Sequence, residues 1–140
     1  AVSRNLFLKE IFPFGIKGNV RLGKVELDHA GRVSICIHTR QEPGKEIKKW
    51  GKWGVDYNVI AIEITLDLVE KVEIMNWQNM TPCQLVFSSD KNIYSILFHG
   101  GDWRVLFSAQ CLTFQGCSVY IDAFKDELGS SHAWQLGDFL

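Results

Sequence analysis

The sequence predicts an all-β fold: one antiparallel β-sandwich or strongly curved sheet of about eight strands, with at most short terminal helices. Three observations carry this. Apolar residues recur at every second position in several runs, as where Val33, Ile35 and Ile37 alternate with Ser34, Cys36 and His38. Turn-forming clusters such as Asp28-His29-Ala30-Gly31 and Ser89-Asp90-Lys91-Asn92 separate these runs. Helical periodicity is nearly absent.

Taken in order, Leu6, Phe7, Glu10 and Ile11 suit one short helical turn ahead of Pro13. Val20, Leu22, Val25 and Leu27 give a slightly irregular alternation, and with residues 33–37 they predict a β-hairpin. Residues 40–52 hold Pro43, Gly44 and Gly51 and have no period, so they predict a long loop, and residues 40–54 are expected to pack across one edge of the sheet. Residues 55–66 alternate with a slip, which predicts a bulge near Val59 and Ile60 or a strand that switches sheets. Further strands are predicted at 69–74, 83–88, 93–98, 103–109 and 117–121. Gly100 and Gly101 read as a hairpin turn that needs positive φ. A second short helical turn is expected at 123–128.

With 140 residues, the chain is expected to form one domain over 1–140. Its β core spans about 18–122, with extensions at 1–17 and 123–140. A 46% hydrophobic and 22% charged composition excludes disordered and collagen-like classes. Fifteen Lys and Arg against sixteen Asp and Glu leave a net charge of -1, so no global basic field points to nucleic acid. No apolar stretch approaches the length of a transmembrane helix, and the first residues do not read as a signal peptide. Cys36, Cys83, Cys111 and Cys117 lack metal-binding spacing, and a well-stocked core needs no disulfides, so reduced thiols and a cytoplasmic setting are expected.

Catalytic signatures are missing. The chain has no nucleophile elbow, phosphate-binding loop or zinc-protease motif. His38 and His99 would suit a small hydrolase of ribonuclease type if the fold brought them together, one imidazole taking a proton and the other giving one. His99 with Asp102 makes too small a set for a metal. No catalytic residue, metal ligand or cofactor is assigned.

Tryptophan is the unusual residue. Trp50 and Trp53 lie among Lys48, Lys49 and Lys52. The leading reading is that the loop folds back and its tryptophans plug the core. They would otherwise anchor a protein interface, or let a non-enzymatic β-module stack on nucleic acid or carbohydrate. Glu63 and Asp67, followed by Glu70 and Glu73, form a possible outward-facing acidic row.

The hairpin at 20–38, the loop from Pro43 to Lys49-Trp50, the strands at 57–62 and 72–77 and the closing Val119-Tyr120-Ile121 resemble a bacterial immunity protein of polymorphic-toxin and contact-dependent growth inhibition systems. More narrowly, residues of about 18–122 are similar to the all-β family numbered fifty among immunity proteins. The resemblance implies a non-enzymatic antitoxin in the cytoplasm, monomeric when free. It would bind the C-terminal domain of a cognate toxin one-to-one and occlude its active site, with no direct nucleic-acid or membrane contact. The resemblance carries over no interface residue.

If that toxin is a nuclease, most simply a ribonuclease, its basic cleft invites carboxylates. Asp122, Asp126, Glu127 and Asp138, with Trp134 among them, are the first candidates for the toxin interface. Glu63, Asp67, Glu70 and Glu73 form the alternative set, and Trp50 and Trp53 are the aromatic candidates.

Overall fold

The structure, a computed structural model, describes residues 2–3 and 6–122. In chain order it contains β1 (Val2–Ser3), α1 (Leu6–Ile11), β2 (Asn19–Asp28), β3 (Arg32–Thr39), β4 (Val59–Met75), β5 (Cys83–Gln84), β6 (Val86–Asp90), β7 (Ile93–His99) and β8 (Arg104–Tyr120). Single 3-10 turns occupy Lys48–Trp50 and Trp77–Asn79. The fold is all-β, and of the two expected architectures it is the strongly curved sheet. The strands run in the order β5-β2-β3-β4-β8-β7-β6, with β1 pairing β8 from outside that path. The β1–β8 pair is parallel and the other strand pairs are antiparallel. The sheet curls far enough for β5 to approach β7.

Both hairpins follow from their turns. Gly31 joins β2 to β3 at φ 78, where a side chain would be strained. Lys91 and Asn92 take φ 50 and 67, the two positive values of a two-residue hairpin whose twist matches its strands. The irregular spacing from Leu22 to Val25 is a bulge, because the β2–β3 register shifts between Leu22 and Lys24.

Two expectations are corrected. The runs at 55–66 and 69–74 are not two strands but one, the 17-residue β4, and those at 103–109 and 117–121 belong to the 17-residue β8. Leu68 turns left-handed at φ 53 and the register slips between Val69 and Lys71, so β4 bends without ending. There is no bulge at Val59 and Ile60, which pair Tyr120 and Val119 in unbroken register. Val55 and Tyr57 instead belong to a turn, closed by Gly54 N–H donating to the Tyr57 carbonyl at 2.7 Å. The apparent slip arises because β4 starts with both faces covered: Val59, Ile60, Ala61 and Ile62 are all buried.

The core is the concave side of this sheet. Val33, Ile35 and Ile37 of β3 pair Leu66, Ile64 and Ile62 of β4, and all six are buried. Ile96, Phe98, Val105, Phe107, Leu112 and Phe114 continue the same cluster. Ile11 and Phe12 reach it from the α1 side. The long loop packs against α1. Gly44 N–H donates to the Ile11 carbonyl at 2.7 Å, and Lys45 pairs with Glu10 at 3.4 Å.

One mismatch in strand length positions the surface described next. The β3–β4 ladder stops at Val33 and Leu66, whereas the β4–β8 ladder runs on to Met75 and Arg104. At the boundary Val69 N–H donates to the Gly31 carbonyl at 3.1 Å, so the hairpin tip docks on the bend of β4.

Candidate functional site

His38 and His99 do not form a pair. His38 aligns through Ala61 with Ser118, near one end of β8, and His99 pairs Arg104 at the other end. At about 3.3 Å per residue those registers are roughly 45 Å apart along the strand. His38 is buried, its Nδ1 lies 2.9 Å from the Tyr120 hydroxyl, and its Nε2 lies 3.7 Å from Cys36 Sγ. Burial, and secondarily the Arg21 charge, lower its pKa to about 4, so it is neutral at pH 7 and tied to Tyr120. Burial pushes the Cys36 thiol up to about 11 and Cys117 to about 12, which leaves both as poor nucleophiles. All four cysteines are free thiols. Among the described residues, no three His, Cys, Asp or Glu gather as metal ligands, and no helix is long and apolar enough to cross a membrane.

The tryptophan pair of the long loop is divided between core and surface. Trp50 is buried and sits edge-on to Phe7 and Tyr57 at 5.7 and 5.8 Å. Trp53 is half-buried and also sits edge-on to Tyr57, at 5.3 Å. Two rings held this way against one tyrosine do not make an open stacking platform.

Of the first acidic candidates only Asp122 lies within the described residues; Asp126, Glu127, Trp134 and Asp138 lie outside them. Asp122 is buried. Its carboxylate is gripped by the Arg40 guanidinium, and its backbone exchanges hydrogen bonds with the Asn58 side chain at 2.7 and 3.0 Å.

The second set lies along β4. Glu63 is exposed, opposite Cys36 and Gly116. Asp67 pairs with Arg32 at 2.8 Å. Glu70 is exposed and accepts from the Gln110 amide at 3.1 Å. Glu73 lies between Lys71 at 3.2 Å and Arg104 at 3.0 Å, and the Lys71 hydrogen bond holds its carboxyl below the usual range. The row therefore exists, but Asp67 and Glu73 are already matched by cations.

A feature the sequence did not reveal lies where β4 outruns β3. From residue 70 to residue 75, β4 has a strand neighbour on the β8 side only, among the described residues. Val72 and Ile74 are 39% and 42% exposed, although they are the apolar half of a regular alternation. Beside them an apolar cleft of about 300 Å³ is lined by Leu22, Val25 and Leu27 of β2 with Ile74, Trp77 and Met80. Trp77 is 64% exposed and Leu27 63%. The alternation at 69–74 was visible in the sequence, but a missing neighbour depends on where another strand stops. A second apolar groove separates α1 from β6 and β7, where Phe87 lies half exposed.

The described residues of this all-β scaffold therefore present an open strand edge and exposed aromatics. No curated protein and no solved structure matches the chain. The family model for immunity protein 50 matches residues 12–120. That match runs from the residue after α1 to the last residue of β8 and takes in β2 to β8, the whole path of the curved sheet. The chain belongs to the immunity protein 50 family.

Proposed function

We propose that this chain is the antidote to a nuclease toxin. It binds the C-terminal domain of a cognate toxin, of a polymorphic-toxin or contact-dependent growth inhibition system, as a one-to-one complex in the cytoplasm. Binding occludes the active site, and the inhibitor does no chemistry of its own. The observation that carries the reading is the family match over residues 12–120, which implies a toxin as partner.

The nuclease, with a ribonuclease first to be tested, is inferred from charge. A nuclease must hold a polyanion in a cleft of Lys, Arg and His. An inhibitor gains association rate and specificity by presenting carboxylates to it. Of the β4 acids, Glu63 and Glu70 carry no salt bridge among the described residues and lie roughly 23 Å apart along the strand at about 3.3 Å per residue, a spacing that can face such a cleft.

Co-expression with the C-terminal domain of the toxin encoded beside this chain tests both levels. Growth restored by the chain supports neutralisation, and failure to rescue rejects it. Degradation of cellular RNA by the toxin alone, prevented by the chain, supports the ribonuclease. Intact RNA in dying cells rejects it.

A further inference from the structure

We propose that the toxin domain docks by adding an extended strand of its own to the open edge of β4, residues 70–75, and seats apolar side chains in the cleft beside Ile74 and Trp77. This rests on the reading that the partner is a toxin, and adds where and how it binds.

The backbone specifies the first part. Past the Val33–Leu66 pair, β4 is laddered to β8 alone as far as Met75 and Arg104, and Val69 N–H to Gly31 is the last backbone hydrogen bond on its other side among the described residues. The opposite edge of residues 70–75 presents backbone donors and acceptors with no strand against them among the described residues. Such a row is a template for one more strand. Side chains supply the second part. Edges are ordinarily blunted by charge or covered, yet here Val72 is exposed and Ile74 lines a cleft of about 300 Å³ with Trp77 and Leu27 exposed at its rim.

The rim is held in place before any partner arrives. Asn76 takes a left-handed φ of 52 and donates through Nδ2 to the Asp102 carbonyl at 2.7 Å. Asn79 Nδ2 donates to Asp102 Oδ2 at 2.9 Å. These bonds pin the Trp77 turn to the β7–β8 connection, so the backbone that presents the indole has little left to order on binding. Aromatic anchors of this kind dominate interface energetics.

Charge decides between occupants. Glu70, at the bulge where the open edge begins, is exposed and accepts only the Gln110 amide, with no cation paired to it among the described residues. It favours an incoming strand with Lys or Arg at that end, as a nuclease offers. A second copy of this chain fits worse. An antiparallel pairing of two β4 edges centred on Val72 sets Glu70 against Ile74, and one centred on Glu73 sets that carboxylate against its twin.

Hydrogen exchange of the full chain, alone and with the C-terminal domain of the toxin encoded beside it, tests this directly. Amides within 70–75 should exchange at least about tenfold more slowly in the complex, as for newly paired backbone. Ile74→Lys and Trp77→Ala should weaken binding by about tenfold or more with an unchanged melting midpoint, and Phe87→Ala, at the other apolar groove, should bind as the parent does. A complex that forms without added protection at 70–75 overturns the docking mode and leaves the toxin reading standing. So does protection at 70–75 that develops with concentration in the chain alone and disappears in Ile74→Lys, since the occupant is then a second copy. If the parent chain binds no toxin domain, the toxin reading falls and this inference falls with it. Should either variant not fold, the exchange comparison on the parent decides alone.

Discussion

The guanidinium of Arg40 grips the carboxylate of Asp122, and the two side chains are only 13% and 5% exposed. The pair joins the residue after β3 to the second residue beyond β8, where Asn58 also receives the Asp122 backbone. Asp122 is therefore committed to the fold. Removing one partner of a buried ion pair leaves the other charge desolvated, which costs about 3–5 kcal/mol. Asp122→Asn should lower the urea midpoint by a corresponding amount, yet leave toxin affinity of the folded fraction unchanged. Unchanged stability with a tenfold loss of affinity would instead return Asp122 to the interface.

Gly100 accommodates an indole. A Cβ at this position would lie 2.8 Å from Trp103 Cδ1, and Trp103 is buried. Neither Gly100 nor Gly101 is among the positive-φ glycines, so the left-handed turn expected here is not the reason for them. Gly100→Ala should cost about 1–3 kcal/mol, since an overpacked core must shift. Gly101→Ala, with open space at its Cβ, should stay within about 0.5 kcal/mol of the parent. Paired thermal melts compare the two, and equal melting points reject the packing explanation.

These glycines show what was legible in the sequence and what was not. Local rules read well: the alternation of β3, the Asp28–Gly31 and Lys91-Asn92 turns and the short α1 are each determined by residues close in sequence. Strand continuity read less well. Asp67 and Leu68 look like a break between two strands, but β8 runs alongside and carries β4 through its bend. The candidate surface was least legible. Glu63, Asp67, Glu70 and Glu73 were visible as an acidic row, but whether Arg32, Lys71 and Arg104 neutralise it depends on cross-strand register. That Asp122 is buried while Trp77 is exposed likewise follows from tertiary packing alone.

His38 makes stability depend on pH. Its folded pKa of about 4 lies below the ordinary 6.5, chiefly through burial, so the unfolded chain binds the extra proton between those values. Stability from this group is complete above about pH 6.5 and is lost progressively as pH falls toward 4. At 1.36 kcal/mol per pKa unit the loss approaches about 3 kcal/mol. His38→Gln cannot take up that proton. The stability gap between parent and variant, followed by urea unfolding from pH 7 to pH 4, should therefore move in the variant's favour by about that amount. A constant gap across the range removes His38 as the titrating group.

Carboxylates facing a basic cleft act mainly on how fast two proteins meet. Exposed charges steer encounter and are screened over about 8 Å at physiological salt, whereas dissociation depends on buried contacts. Glu63 and Glu70 are the two β4 carboxylates without a cation paired to them among the described residues. Changing both to Gln should slow association with the toxin domain about three- to tenfold at low salt, flatten the salt dependence, and leave dissociation nearly untouched. The reverse pattern, normal association with faster dissociation, would place these side chains inside the contact and argue against steering. Truncation after Phe124 measures the share of Asp126, Glu127, Trp134 and Asp138. It preserves the family-matched residues 12–120, and a melting midpoint confirms that the shortened chain is folded. We expect its association rate to fall and its salt dependence to flatten further when combined with the Gln changes, because the two acidic groups add to one field. If the truncated chain binds with the parent's rates at every salt concentration, the C-terminal acids take no part and steering falls to β4 alone.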